Sequence, residues 1–184
     1  VDNDVTISSN SNAGTDMSIT GGAATDTVTI NAVAGDIIAT GTLSSILSVT
    51  GTSAAQTITG GDGADTITGA GGNDKLEGGN GADIFVIAAQ ADHTSSATIT
   101  GGGASDTVRF TSGTGSETLT VSSAVNVELI EISDASGDNT GTTALNIDAS
   151  NNTNALSLTG NDGDNTITGT SDVNVIVAGG GADT

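Results

Sequence analysis

The sequence predicts an all-β fold in which short parallel strands stack as the coils of a β-solenoid. Three observations favour this fold. A nine-residue repeat recurs in tandem in two parts of the chain, and short strand-like segments rich in Ser, Thr and apolar residues lie between the repeats. No stretch shows the apolar spacing of an amphipathic helix. We therefore expect irregular β segments to join two blocks of regular coils.

Composition excludes several classes of function. The 184 residues include 22 acidic and 2 basic side chains, which gives a formal net charge of -20 at pH 7. Two cations cannot neutralise a phosphate backbone, so we expect no nucleic-acid partner. No apolar run approaches the ~20 residues that cross a bilayer, so we expect no membrane insertion.

The sequence also contains few residues of the types that carry out catalysis. The chain has no cysteine, which removes thiolate nucleophiles, thiolate metal sites and disulfides. Its one histidine, His93, lies in a polar segment where we expect it on the surface. A single histidine rules out a two-histidine zinc motif. We therefore predict no catalytic residues and no enzymatic activity.

Larger landmarks divide the chain into two similar units. One Gly-Gly element recurs at 21 and 101, and a second element with the pattern DG-x-x-T-I-T-G recurs at 62 and 162. We expect residues 1–87 and 88–184 each to combine a strand-rich segment with a nonapeptide block. The second block stops within a repeat, so we expect the chain to be a fragment of a longer protein.

The first block has three nonapeptides of the form G-G-x-G-x-D-x-U-x, where U is a large apolar residue. Its only departure from this form is Ala70 at the second position. The eighth positions hold Ile67, Leu76 and Phe85. The copies are GGDGADTIT (60–68), GAGGNDKLE (69–77) and GGNGADIFV (78–86).

The second block keeps the same register with fewer aspartates. Its sixth positions hold Asn165, Asn174 and Asp183, and its eighth positions keep Ile167 and Ile176. The copies are GNDGDNTIT (160–168), GTSDVNVIV (169–177) and AGGGADT (178–184), and two looser copies with aspartates at Asp26 and Asp106 are GGAATDTVT (21–29) and GGGASDTVR (101–109).

Each nonapeptide divides into a turn and a strand. The Gly-rich half reaches positive φ without penalty, and the x-U-x half is a three-residue strand whose middle side chain points inward. Two nonapeptides make one coil of 18 residues, so Asp65 and Asp83 should share one edge and Asp74 should lie on the opposite edge. Carboxylates and carbonyls in a flexible anionic cage suit Ca²⁺ better than Mg²⁺, and metal binding should be coupled to folding.

Residues 60–86 closely resemble the haemolysin-type calcium-binding repeats of the repeats-in-toxin family. The resemblance implies a parallel β-roll with Ca²⁺ between adjacent turns, and aspartate ligands at Asp65, Asp74 and Asp83. It also implies backbone-carbonyl ligands at Gly60, Asp62, Ala64, Gly69, Gly71, Asn73, Gly78, Asn80 and Ala82, while further candidate metal residues are Asp26, Asp106, Asp162 and Asp183.

The segments outside the nonapeptides predict further short strands. Ser and Thr alternate there with apolar residues, and turn-forming residues separate the segments. We expect strands within 27–33, 117–123, 126–133, 143–150 and 154–160.

The overall composition resembles that of bacterial surface-layer and secreted matrix proteins. The resemblance implies a secreted, calcium-binding structural protein at the bacterial cell surface, which folds on binding Ca²⁺ and assembles with copies of itself into a layer, matrix or filament. Cell-surface polysaccharide is a further candidate partner. Two alternatives stay open: a calcium-binding tail of a secreted protease, lipase or toxin, and a calcium-stiffened adhesin stalk.

Overall fold

The protein is a stack of parallel β-strands, and the predicted all-β solenoid is confirmed. A computed structural model describes residues 5–8, 17–20, 27–31, 35, 37–40, 46–94, 97–121 and 124–184. Within these ranges eighteen strands, β1 to β18 in chain order, pair only in parallel, and the one helical segment is a 3₁₀ turn at Gln90–Asp92. The described residues form no helix long and apolar enough to cross a membrane.

One face of the solenoid is a nine-stranded sheet. The chain returns to this face once in every coil, so that each strand pairs with the strands of the coils before and after it. In sheet order the strands are β1 (Val5–Ser8), β3 (Thr27–Asn31), β5 (Ile46–Thr50), β7 (Thr66–Thr68), β9 (Ile84–Ile87), β11 (Thr107–Phe110), β14 (Leu129–Ile132), β16 (Ser157–Thr159) and β18 (Val175–Val177).

The remaining strands form two shorter sheets. After β11 the chain supplies one strand to each of them before it returns to the nine-stranded sheet. The six-stranded sheet contains β2 (Met17–Thr20), β4 (Ile37–Thr40), β6 (Thr57–Gly61), β8 (Lys75–Gly79), β10 (Thr98–Gly102) and β13 (Ala124–Val125), and the three-stranded sheet contains β12 (Thr118–Thr120), β15 (Asn146–Asp148) and β17 (Ile167–Thr168).

The core consists of ladders of inward-facing apolar side chains. In a three-residue strand the middle side chain points to one face, and register partners place these side chains directly above one another. Burying each of them contributes roughly 1.5–3 kcal/mol. The ladder of the nine-stranded sheet contains Val49, Ile67, Phe85, Val108, Ile130 and Leu158, all buried.

The eighth nonapeptide positions follow the predicted pattern as far as the stack continues. Ile67, Leu76 and Phe85 are buried, and Ile167 packs against the core. Ile176 was also expected to face the core, yet it is 50% exposed. It lies on β18, the last strand of the nine-stranded sheet, so a neighbour covers it on one side only.

Coil length varies while strand register is kept. Residues in equivalent positions of neighbouring coils lie 18 apart at Asp65 and Asp83, 23 apart at Asp83 and Asp106, and 28 apart at Thr118 and Asn146. The extra residues form loops at the edges, so the predicted strand segments within 117–123, 126–133, 143–150 and 154–160 still join the same stack. The segment within 27–33 likewise forms β3.

The expected surface position of His93 is wrong. His93 is 3% exposed, and burial lowers the pKa of its imidazole. It follows the 3₁₀ turn, which is bonded to the next coil: the Gln90 backbone N–H donates to Glu117, and the Thr118 N–H donates to the Gln90 side chain. These bonds hold the loop that carries His93 against the next coil.

The ladder predicts a large effect of removing one of its members. Substituting Ile67→Ala leaves a cavity between two register partners, which should lower the free energy of unfolding by ~2–5 kcal/mol. The control is Ile84→Ala at a half-buried outward position of β9, where the loss should be much smaller. Urea unfolding at saturating calcium measures both, and equal losses would contradict the inward ladder.

Candidate metal centre

Three buried aspartates lie one above another along one edge of the solenoid. Asp65, Asp83 and Asp106 each come directly before a strand of the nine-stranded sheet, and each is fully buried. We call them the aspartate column. Asp74 is also buried, but it lies on the opposite edge, between β7 and β8. Asp65 and Asp83 thus share an edge that excludes Asp74, as their 18-residue spacing predicts.

One oxygen of each carboxylate ties neighbouring coils together. Asp83 Oδ1 accepts the Asp65 N–H at 2.8 Å, and Asp106 Oδ1 accepts the Asp83 N–H at 2.8 Å. Asp65 Oδ1 accepts the Leu47 N–H at 2.7 Å in the same way. On the opposite edge Asp74 Oδ1 accepts the N–H of Gln56 at 2.9 Å. These bonds satisfy backbone donors in the turns and, at Leu47, in a strand.

The second oxygen of each carboxylate has no partner among the described residues. Oδ2 of Asp65, Asp74, Asp83 and Asp106 is buried without a hydrogen bond. A buried polar group left unsatisfied costs about 1–3 kcal/mol, and more when it is charged. Four such oxygens at equivalent places in successive turns indicate a missing ligand rather than four separate packing defects.

Each orphan oxygen faces a small cleft between two coils. A Cβ added to Gly60 would lie within 3.0 Å of both Asp65 Oδ2 and the Gly78 carbonyl oxygen. A Cβ on Gly78 would meet Asp83 Oδ2 and the Gly101 carbonyl equally closely. Only glycine leaves this space open, and the oxygens that border it belong to different coils.

Asp74 faces a less complete cleft. The three atoms nearest to a Cβ on Gly69 all belong to the side chains of Asp74 and Leu76, with no carbonyl of the next coil among them. In that coil Thr98 pairs with Lys75, and the Thr98 N–H donates to the Asp74 carbonyl. The residue before Thr98 is Ala97, so an alanine occupies the position equivalent to Asp74. The structure therefore brings carbonyl and carboxylate oxygens together along the aspartate column and leaves Asp74 apart.

The available donors fit Ca²⁺. In the described parts of the chain, no three His, Cys, Asp or Glu side chains converge as a metal cluster. A cation in the clefts would therefore take many of its ligands from backbone carbonyls. Ca²⁺ accepts six to eight oxygen ligands in flexible geometry, carbonyls included, whereas Mg²⁺ requires a tighter octahedron. The orphan oxygens and the glycine clefts suit the former.

The other predicted carbonyl ligands have varied surroundings. The side chains of Asp62 and Asn80 bond each other across coils at 2.7 Å. The residues at the fifth position of the repeat, Ala64, Asn73 and Ala82, are exposed to solvent. The backbone at Gly71 packs next to Ser53 of the preceding coil. Coordination by these carbonyls stays a prediction.

The turn before Asp106 keeps the repeat conformation although its sequence departs from the repeat. Ala104 stands where the repeat has its fourth-position glycine, and it adopts a left-handed φ of 71°. Ala70 does the same with a φ of 61° at a second position. Alanine therefore does not close the turn, and Asp106 reaches the same buried place as Asp83. Asp26 lies outside the described residues.

In the turns of the second block, no carboxylate oxygen is buried without a hydrogen-bond partner. Asn165 is buried, and its Nδ2 donates to the Leu145 carbonyl at 2.8 Å and to Asn161 Oδ1 at 2.9 Å, while its Oδ1 accepts the Asn161 N–H at 2.9 Å. The amide Nδ2 therefore has two acceptors, while Asn165 Oδ1 lies beside the Ala178 carbonyl at the Gly160 cleft, where the aspartate column has an unpartnered Oδ2. Asp183 Oδ1 accepts the Asn165 N–H at 2.9 Å, and the exposed Asp162 accepts the Gly180 N–H at 3.2 Å.

Burial strongly perturbs the orphan carboxylates. Desolvation raises the pKa of Asp65 and of Asp83 to about 7, with a further contribution from the carboxylate of the next coil. Desolvation raises the pKa of Asp74 to about 6 and also raises the pKa of Asp106. For Asp65 and Asp83, a shift of this size corresponds to a penalty on the order of a few kcal/mol for the ionised carboxylate when no cation is bound.

Comparison with known families identifies the repeat. The family model of the RTX calcium-binding nonapeptide repeat matches four copies, at residues 50–85 and 157–184. The first match includes Asp65, Asp74 and Asp83 and ends before Asp106. No curated protein and no solved structure matches the chain. RTX nonapeptides bind Ca²⁺ and are typical of secreted proteins, in agreement with the chemistry of the clefts.

The raised pKa values predict that acid partly replaces calcium. The folded pKa of Asp65 and Asp83 exceeds the ordinary value of 3.8, so the calcium-free folded chain binds protons more tightly than the unfolded chain does. Without calcium, stability should therefore fall as the pH rises from about 4 to about 7. Urea unfolding in chelator across this range measures the slope. A stability that rises toward pH 7 would contradict buried, unneutralised carboxylates.

Replacing a column aspartate by asparagine should weaken the response of the chain to calcium, and replacing Asn165 by aspartate should destabilise the calcium-free chain. Asp83→Asn removes a buried charge, so the chain in chelator should become more stable while its response to calcium weakens. Asn165→Asp removes two donated hydrogen bonds and buries a charge, so stability in chelator should fall by ~1–3 kcal/mol or more. Urea unfolding with and without calcium compares both variants. An unchanged Asp83→Asn response would show that the column does not bind the ion.

Proposed function

Because the chain is an RTX-type repeat protein, we propose that it is a structural protein of a bacterial extracellular layer, matrix or filament, which folds on binding Ca²⁺ and then assembles with copies of itself. The RTX repeat β-roll is a calcium-binding, non-catalytic fold, and we propose no enzymatic activity for this chain. The location that we propose is outside the cell, at the bacterial surface.

The aspartate column is the observation that supports a folding role for the ion. Asp65, Asp83 and Asp106 hold adjacent coils through one oxygen and leave the other buried without a partner in the described chain. Bound Ca²⁺ would neutralise these oxygens and join the carbonyls of neighbouring turns. An ion that contacts two coils stabilises the stack but not the unfolded chain, so binding free energy becomes folding free energy.

Charge makes this coupling stronger. At a net charge of -20 the chain repels itself, and its 28 glycines give the unfolded state a large conformational entropy. The two basic side chains do not offset the column, because Lys75 pairs with Glu77 and Arg109 pairs with Glu131. Calcium at extracellular levels would therefore act as the folding signal after secretion.

The last described strand of the nine-stranded sheet has an apolar open edge. β18 pairs with β16 on one side, and no described strand follows it in the nine-stranded sheet. Its surroundings are apolar: Val173 is 82% exposed and Val175 is 63% exposed. An open parallel strand edge with apolar side chains is a template for a further strand, which either a continuation of the same stack or a second copy of the chain would supply.

A calcium titration tests the proposed function. Far-ultraviolet circular dichroism at pH 7 should show a partly folded chain in chelator that gains further β structure with Ca²⁺ but not with Mg²⁺ at the same concentration. Light scattering recorded on the same samples should rise once the chain is folded. A chain that is fully folded in chelator and indifferent to calcium would overturn the folding role.

The scattering decides between the proposal and its alternatives. A folded chain that stays monomeric at high protein concentration would favour the calcium-binding tail of a secreted protease, lipase or toxin, or an adhesin stalk. A matched control is Val175→Thr, which removes apolar character from β18 without touching the column. It should reduce scattering and leave the calcium midpoint unchanged if assembly proceeds through this edge.

A further inference from the structure

Glu128 continues the aspartate column into a coil that lacks the nonapeptide. The Asp106 N–H donates to Glu128 Oε2 at 2.8 Å, just as the Asp83 N–H donates to Asp106 Oδ1 at 2.8 Å. Glu128 comes directly before β14, as Asp106 comes directly before β11. A glutamate therefore occupies the place of the repeat aspartate 22 residues further along the chain, beyond the residues that the family model matches.

The backbone of the same coil supplies the matching carbonyl. A Cβ on Gly101 would lie within 3.0 Å of both Asp106 Oδ2 and the Asn126 carbonyl oxygen. The same construction on Gly78 finds the Gly101 carbonyl in this position. Asn126 reaches it with a left-handed φ of 52°, a conformation that asparagine tolerates better than most residues. The coil thus reproduces the cleft of the repeat without its sequence.

The orphan oxygen of Asp106 points into this cleft. Asp106 is fully buried, and its Oδ2 has no hydrogen-bond partner in the described structure. Asp106 Oδ1 already joins the two coils, because it accepts the Asp83 N–H. That connection does not use Oδ2. The second oxygen is an independent sign that a cation belongs between Asp106 and the Asn126 turn.

We propose that Asp106, the Asn126 carbonyl and Glu128 form a further Ca²⁺ site, which ends the column one coil beyond the nonapeptide block. This inference rests on the proposed calcium-dependent folding. Glu128 is exposed, whereas Asp65 and Asp83 are buried, so water completes the coordination on the outer side. The site therefore binds calcium more weakly than the clefts at Asp65 and Asp83, and it exchanges calcium faster.

Ion counting tests the site. Equilibrium dialysis at saturating calcium, followed by atomic emission, gives the number of ions per chain for the wild type and for Glu128→Gln. Glutamine keeps an acceptor for the Asp106 N–H, so the fold should persist, which circular dichroism checks. We expect one ion fewer per chain, and the weakest phase of a calorimetric titration should disappear.

Three further variants complete the experiment. Asp106→Asn should lose the same ion, and the Glu128→Gln, Asp106→Asn double variant should lose one ion rather than two. The control is Glu117→Gln, which alters a glutamate bonded to Ser112 and Gln90 on another part of the surface and should keep the wild-type count. If Glu128→Gln fails to fold, the count for Asp106→Asn decides.

The outcomes separate this site from the proposed function. A wild type that binds calcium, together with Glu128→Gln and Asp106→Asn variants that keep its full count, would overturn the site and leave the proposed function intact. A wild type that binds no calcium would overturn both. A count that falls in Glu117→Gln as well would also overturn the assignment, because the loss would then not be specific to the column.

Discussion

A buried carboxylate oxygen without a partner is the constraint on which the rest of this structure depends. In the aspartate column one oxygen of each carboxylate bonds the neighbouring coil, and this bond places the other oxygen in a cleft that only glycine keeps open. Strand ladders and apolar ladders stack the coils, but they leave these negative oxygens unsatisfied along the edge. Positive charge in the clefts, as a metal ion or a proton, would neutralise these oxygens.

The same fold contains a second solution to the same problem. Asn165 occupies an aspartate position and uses its own amide hydrogens to bond the oxygens around it, and Asn174 similarly donates to the Thr170 and Asp172 carbonyls. An amide carries both donors and an acceptor, so it needs neither a cation nor a proton. Among the described residues, buried carboxylate oxygens without a partner occur only in the coils with Asp65, Asp74, Asp83 and Asp106, and not in the amide-bonded coils.

Regular features of the sequence were sufficient to predict the regular part of the structure. A period of nine, with one apolar residue in each short strand, placed Ile67 and Phe85 in the core and separated Asp74 from Asp65. The irregular coils were harder to predict, because their loops are longer and their turn residues differ from the repeat. His93 is buried in a loop that bonds to a neighbouring coil, and no local pattern around the histidine indicates these bonds.

The sequence by itself determined the all-β class, the inward apolar positions and the chemistry of the turns, because all three follow from residue types at short, repeated spacings. Tertiary structure alone decided which turns share a cleft. It gave the column its carbonyls, left the space at Gly69 beside Asp74 without a nearby carbonyl, and brought Glu128 beside Asp106 across 22 residues. The physical reason is that a cleft lies between two coils, so its lining depends on how many residues loop out before the chain returns to the same edge.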